Sequence, residues 1–204
     1  NNPKMDEMYP IVSLGEGAEI IAEEMQISRE DQDSYSLGSH TRAIAAINDG
    51  KFEDEIIPIS VPQRRGDPVI VDTDEHPRYE KTDGAYELAI DTESLGKLRP
   101  AFKKDGSVTA GNSSGINDGA AALLLASREK ADALGLNPLL RWVGSASAGT
   151  EPGHFAYGPI PATEKLLKRF DLNIEDIGLV ELNEAFAAQT IGCMRQLGLD
   201  SAKV

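Results

Sequence analysis

Residues 111–121, GNSSGINDGAA, gather three glycines, two asparagines, two serines and one aspartate into eleven positions. Such a stretch turns tightly and leaves backbone N–H groups free, and glycine lets another backbone or a ligand come close. The small residues Ser113, Ser114 and Gly115 leave room for a slender, chain-like ligand. The same composition also suits a plain turn ahead of a buried strand. A second chemical signal is NEAFAAQ at 183–189, which follows the apolar GLVEL of 178–182 and opens a helix. Asn183 falls at the expected N-cap, where its side chain would satisfy an N–H of the first turn. Glu184 in that turn suits the helix dipole. An amide at a strand-to-helix corner also lies where α/β sheets bind ligands. There it can orient a water or donate to a developing oxyanion.

Other reactive side chains read more quietly. Cys193, the one cysteine, falls inside the helix expected after NEAFAAQ and reads as a buried structural thiol. His40 falls in a helix, His76 in a charged loop and His154 in a Gly/Pro turn. None has Cys, Asp or Glu at ligand spacing, so all three read as structural or solvent-facing and no metal is predicted. Arg64-Arg65 reads as a solvated turn, with a phosphate contact as the alternative. GNSSGINDG is not GxGxxG and has no acidic ribose partner at the right distance, which argues against a nucleotide-dependent dehydrogenase.

The elements that must hold these residues follow from periodicity. Glu16–Met25 places Ala18, Ile21, Ala22 and Met25 at helical spacing. Ser28 opens a second helix with Asp31 three residues on, close to a capping box. Tyr35, Ala43, Ile44 and Ile47 are expected on its buried face, and Asp49-Gly50 ends it. Residues 56–61 predict a strand, and 62–93 a long polar loop. Strands are expected at 108–110, 120–127, 140–147 and 178–182, with helices at 129–134, 163–170 and 184–197. The run 120–127 would equally suit a helix. This alternation argues for an α/β layered structure.

Composition bounds the rest. With 204 residues and 40% hydrophobic content, the chain can bury a core, built mainly from aliphatic residues because aromatics are only 5%. A net charge of −14 argues against nucleic acid as a partner. It leaves room for an anionic ligand held by backbone N–H groups. The single cysteine rules out an internal disulfide and fits a reducing, cytoplasmic compartment. No signal peptide or bilayer-length apolar run is visible. The opening Asn1-Asn2-Pro3-Lys4, without Met, suggests a start inside a longer gene product, with proteolytic processing as the alternative.

Taken in order, SLGEGAE at 13–19, SREDQD at 28–33, DGKFEDEIIPI at 49–59, LRPAF at 98–102, GNSSGINDGAA, GPIPAT at 158–163 and NEAFAAQ resemble the middle of a thiolase. The likeness runs from about Tyr9 to the C-terminus. It implies a partial thiolase-like α/β fold: a coenzyme A-binding loop domain at 1–107 and the start of the C-terminal half at 108–204. It implies acyl-coenzyme A as substrate, no tightly bound cofactor, no membrane, and a parent that is a homodimer or homotetramer. Carried over from the family's motifs, Ser94, Leu98, Phe102, Ala110 and Ser114 would contact coenzyme A. Ala185 and Phe186 would line the acyl and pantetheine channel. Asn183 would position a catalytic water and frame an oxyanion hole.

The sequence departs from the family at its reactive groups. Thiolases carry an upstream nucleophilic Cys, a His in a GHP motif and a second downstream Cys, and this sequence holds none of them. Cys193 matches neither family cysteine. Ser13-Leu14 stand where many thiolases have His-Met, and Gly17 replaces a common Thr; Ser13 in place of His leans toward degradative 3-ketoacyl-coenzyme A thiolases over biosynthetic ones. The segment alone is therefore expected to be inactive. A non-catalytic coenzyme A-binding or assembly module is the alternative.

Overall fold

The computed structural model describes residues 2–204. A short helix, α1 (Pro3–Met8), is followed by α2 (Leu14–Glu24) and α3 (Arg29–Asn48). Ser13 caps α2 in a full capping box with Glu16, and Ser28 caps α3 by accepting from Asp31 N. Two hairpins come next. β1 (Ile59–Val61) pairs antiparallel with β2 (Val69–Val71), and β3 (Tyr79–Thr82) with β4 (Ala85–Leu88). Short helices α4 (Thr92–Gly96) and α5 (Arg128–Ala133) lead to α6 (Pro159–Phe170) and α7 (Ala187–Leu197). No described helix is long and apolar enough to cross a membrane.

The core gathers where α7 packs on α2 and α3. Ile21, Ile27, Ala156 and Ile191 form one buried cluster, with Met25, Tyr35 and Tyr157 packed against it. Ala18, Val108 and Phe186 form a second. Burying the Ile, Val and Phe side chains among these contributes roughly 1.5–3 kcal/mol each. Cys193 is buried beside Ala156, and burial pushes its thiol pKa up. At the surface, Glu24 accepts from the Tyr157 hydroxyl at 2.8 Å and pairs with His154 at 3.0 Å. That hydrogen bond raises the imidazole pKa.

Several expectations are corrected. On α3 only Ile44 of the expected apolar face is buried; the other buried residues are Gln32, Asp33 and Ser36. Polar groups turn inward here because hydrogen-bond partners lie opposite: Asp33 accepts from Asn112 and the Gln32 amide N–H donates to Ser107. The strand expected at 56–61 shortens to Ile59–Val61, and the supposed loop at 62–93 carries three more strands. Asp83 and Gly84, with φ of 50° and 89°, close the second hairpin. Positive φ at both central residues is the geometry that favours Asp-Gly turns.

Residues 108–110, 120–127, 140–147 and 178–182 form no strands. A strand exists through its ladder, and these segments have no neighbouring strand among the described residues to bond with. Val108 and Thr109 are nonetheless buried, but the later three segments stand open, with Leu124, Leu140 and Leu179 exposed at 85%, 93% and 82%. Asn183 is not an N-cap. The helix starts at Ala187 with Phe186 in the cap position and no side-chain cap bond. Residues 185–187 are held in extended pairing with 112–114, so helical geometry begins only after them.

Buried polar bonds fix how the second third of the chain meets the first helices. The Glu19 carboxylate, 5% exposed, accepts from Ser107 N at 2.9 Å and Val108 N at 2.9 Å. Removing it strands two buried donors. Glu19→Ala is expected to cost about 3 kcal/mol, or roughly 6–12 °C in Tm for a chain of this size. The exposed Glu23–Lys103 pair makes the control, since such pairs contribute about 0–1 kcal/mol. Thermal unfolding of Glu19→Ala beside Glu23→Ala measures the difference. Equal midpoints would remove Glu19 from the anchoring role.

Candidate active site

The glycine-rich turn is set by a chain of hydrogen bonds that begins on α3. Asp33 accepts from Arg29 Nε at 2.7 Å and from Asn112 Nδ2 at 3.0 Å. Arg29 also donates to the carbonyls of Leu95 and Leu98, at 2.7 and 3.1 Å. Asn112, buried, accepts from Thr109 N at 2.8 Å through its own side chain and donates to Ser107 O at 3.1 Å. One carboxylate thus fixes both the turn at 107–112 and the residues that follow α4. Buried networks of this kind hold geometry when every member is satisfied.

The turn then lies against the corner that precedes α7. Ser114 N donates to Ala185 O at 3.0 Å, and Ala187 N donates to Asn112 O at 3.0 Å. Ser113 and Phe186 form an antiparallel bridge. The two motifs singled out in the sequence are therefore neighbours in space. They border two clefts. One, of about 810 Å³, is lined by His40, His76, Ser114, Asn183 and Glu184, among others. The other, of about 450 Å³, is lined by Arg78, Ala101, Phe102, Ala110 and Ser114, among others. Ser114 is exposed on the wall that both share.

The candidate residues fall into three groups. Asn183, Ser114, Ala110 and Phe102 line the clefts. Leu98, Ala185 and Phe186 stand behind them. Phe186 meets Phe102 edge-to-face at 5.8 Å, Ala185 holds Ser114 through its carbonyl, and Leu98 packs on Gly111. Ser94 stands apart, exposed in the first turn of α4. Its hydroxyl accepts from Asp91 N at 3.0 Å and donates to Asp91 O at 2.9 Å. Arg64 and Arg65 are exposed in the turn between β1 and β2.

Two groups at the site were not foreseen. His40 and His76 come together with ring centroids 5.7 Å apart, and both line the larger cleft. Burial, with the neighbouring charges of His76 and Arg78, lowers the His40 pKa. His76 also sits on Gly115, where an added Cβ would lie 2.7 Å from its ring nitrogen. The Asp-Gly turn was the signal available for this. It folds the hairpin back onto α3, where Asn48 bonds both the N–H and the carbonyl of Tyr86. The second unforeseen group is Glu184, whose carboxylate accepts from Tyr35 and Ser39 on α3 at 2.6 Å each. No local pattern announces a contact across so many residues.

Chemically, small side chains and a free serine hydroxyl can seat a narrow ligand, and an amide can donate to developing negative charge. The Ser113 hydroxyl is committed to Thr109 O at 2.6 Å. Cys193, buried with a raised pKa, lies among the core residues and borders neither cleft.

Known proteins fit this arrangement. Residues 3–129 match the family model "Thiolase, N-terminal domain", and 136–204 match "Thiolase, C-terminal domain". The chain is 49% identical over 203 residues to an acetyl-CoA acetyltransferase of Chromobacterium violaceum, covering 100% of itself and 50% of that protein. It is 45% identical over 205 residues to a beta-ketoadipyl-CoA thiolase of Acinetobacter baylyi, covering 100% of itself and 49% of that protein. The crystal structure of the Bacillus anthracis acetyl-CoA acetyltransferase superposes with a TM-score of 0.87 at 47% identity, over 95% of this chain and 46% of that one. The dimeric peroxisomal thiolase of Saccharomyces cerevisiae gives 0.85 at 41%, over 95% and 46%. The chain spans about half the length of the curated relatives it matches. The open segments at 116–127, 139–149 and 177–183 thus belong to a partial α/β thiolase fold. With both family models matched in order and the two motif segments paired at one site, the chain belongs to the thiolase family.

Proposed function

We propose that this segment works within a longer thiolase chain as the coenzyme A saddle and one leg of the oxyanion hole. The reaction is acyl transfer between coenzyme A thioesters, as Claisen condensation or as thiolytic cleavage of a 3-ketoacyl thioester. The observation that carries this reading is the pairing of 112–114 with 185–187, which sets Ser114 and Asn183 on one cleft. Residues 1–107 act as the loop domain and 108–204 as the start of the C-terminal half. Ser94, Leu98, Phe102, Ala110 and Ser114 hold coenzyme A, which comes and goes as substrate with no tightly bound cofactor. Ala185 and Phe186 line the acyl channel, and Asn183 donates to the developing oxyanion.

The chemistry follows from what the segment has and lacks. In cleavage, a cysteine thiolate supplied by the rest of the chain attacks the 3-keto carbonyl, the Cα–Cβ bond breaks, and the shorter acyl-coenzyme A leaves as its enolate and is protonated; in condensation, the thiolate attacks a thioester carbonyl and coenzyme A leaves as its thiolate. The acyl-enzyme is then resolved by a second coenzyme A or by the carbanion of a second thioester. Negative charge on the carbonyl oxygen is where a fixed amide donor stabilises the transition state. The parent is a cytoplasmic homodimer or homotetramer, and Ser13 in place of the family's His leans it to degradative thiolysis.

Assaying the full-length gene product for thiolysis of short- and longer-chain 3-ketoacyl thioesters tests this. Turnover is expected there and none from the isolated segment, since loss of a nucleophile costs many orders of magnitude. No turnover by the full-length protein on any coenzyme A thioester would overturn the proposal. So would turnover by the isolated segment that survives cysteine alkylation.

A further inference from the structure

Glu184 directly follows Asn183, yet its carboxylate turns away from the start of α7 toward α3. Tyr35 Oη donates to Glu184 Oε1 at 2.6 Å, and Ser39 Oγ donates to Oε2 at 2.6 Å. Tyr35 and Ser39 stand four residues apart on α3, so both hydroxyls come from one helix face. Hydroxyl-to-carboxylate bonds of this length lie at the strong end of the range. Burial and the facing carboxylate hold the Tyr35 phenol well above its usual pKa, so it stays a donor at any working pH.

The corner is also held from the opposite side. Ala185 O accepts from Ser114 N, and Ala187 N donates to Asn112 O, both at 3.0 Å. Asn183 is thus the first residue outside a segment fixed on two flanks. A plain staple between α3 and α7 would duplicate what is already present. Tyr35 packs on the Ile21–Ile27–Ile191 cluster, and Arg195 pairs with Asp31 at 3.0 Å. The clamp adds a fixed backbone direction at residue 184, hence at the peptide that carries Asn183.

We propose that Glu184 is a positioning residue, clamped by Tyr35 and Ser39, that aims Asn183 at the reacting carbonyl; this rests on the reading of Asn183 as an oxyanion donor. Misplacement of a catalytic group by about 1 Å can cost on the order of a hundredfold in rate.

A mutant cycle in the full-length enzyme tests it. Tyr35→Phe with Ser39→Ala removes both donors and keeps the aromatic packing. In the wild-type background this pair is expected to lower kcat about tenfold to a hundredfold, with KM for the thioester within about twofold. In an Asn183→Ala background the same pair is expected to cost less than about twofold, because the group it positions is gone. An equal loss in both backgrounds, or no loss in the first, overturns the clamp. Normal turnover by Asn183→Ala alone overturns the reading of Asn183, and the clamp with it. Ser39→Ala alone runs the same cycle if the pair fails to fold. Glu184→Gln, which can still bond both hydroxyls, should keep most of the turnover that Glu184→Ala loses. Equal loss in Gln and Ala also counts against the clamp.

Discussion

Asn183→Asp in the full-length enzyme is expected to lower kcat about a hundredfold to a thousandfold, roughly 3–4 kcal/mol of transition-state stabilisation, while melting within a few degrees of wild type. Asp matches Asn in size but replaces its N–H₂ donor with an acceptor. It also sets a negative charge beside the oxygen on which negative charge develops. Residue 183 lies outside α7, whose cap position is Phe186, so no helix cap is lost. The side chain is exposed on the 810 Å³ cleft, so no core contact is lost. Asn183→Ala separates the two contributions, since it removes the donor without adding charge, and should fall between Asp and wild type. A folded Asn183→Asp enzyme with near-normal kcat would take Asn183 out of the chemistry.

What could be read in advance was local. Ser28 announces the start of α3, because a capping hydroxyl and its N3 partner lie three residues apart. Ala18, Ile21 and Ala22 repeat at helical spacing and are buried as expected. The two motifs stood out because glycine, serine and asparagine are concentrated there. What could not be read depends on partners far along the chain. Gln32 and Asp33 look like an exposed polar face until Ser107 and Asn112 arrive to bond with them. His40 and His76 are ordinary until a hairpin folds back and places them 5.7 Å apart. The apolar run at 123–125 reads as a buried strand, and that property is realised only with a neighbouring strand. Asn183 shows the same limit in reverse. Its helix-cap reading was sound locally and lost to the pairing of 185–187 with 112–114.

Ser114→Trp should act on binding where Asn183→Asp acts on turnover. Ser114 is exposed on the wall common to the 810 and 450 Å³ clefts, with its backbone N–H bonded to Ala185 O. The side chain points into open space, so an indole there displaces ligand and leaves the core untouched. Forcing a bulky group into a filled channel costs about 1–3 kcal/mol, or roughly fivefold to 150-fold in KM for the thioester. Ser114→Ala removes only a hydroxyl and should raise KM by about fivefold, the worth of about one net hydrogen bond. The order wild type, Ala, Trp in KM, with Tm unchanged across the series, is the signature of a pantetheine wall. Steady-state kinetics of the three full-length proteins against an acyl-coenzyme A measures it. A folded Ser114→Trp enzyme with the wild-type KM would place the ligand elsewhere, because an indole cannot share a narrow channel with the chain that fills it.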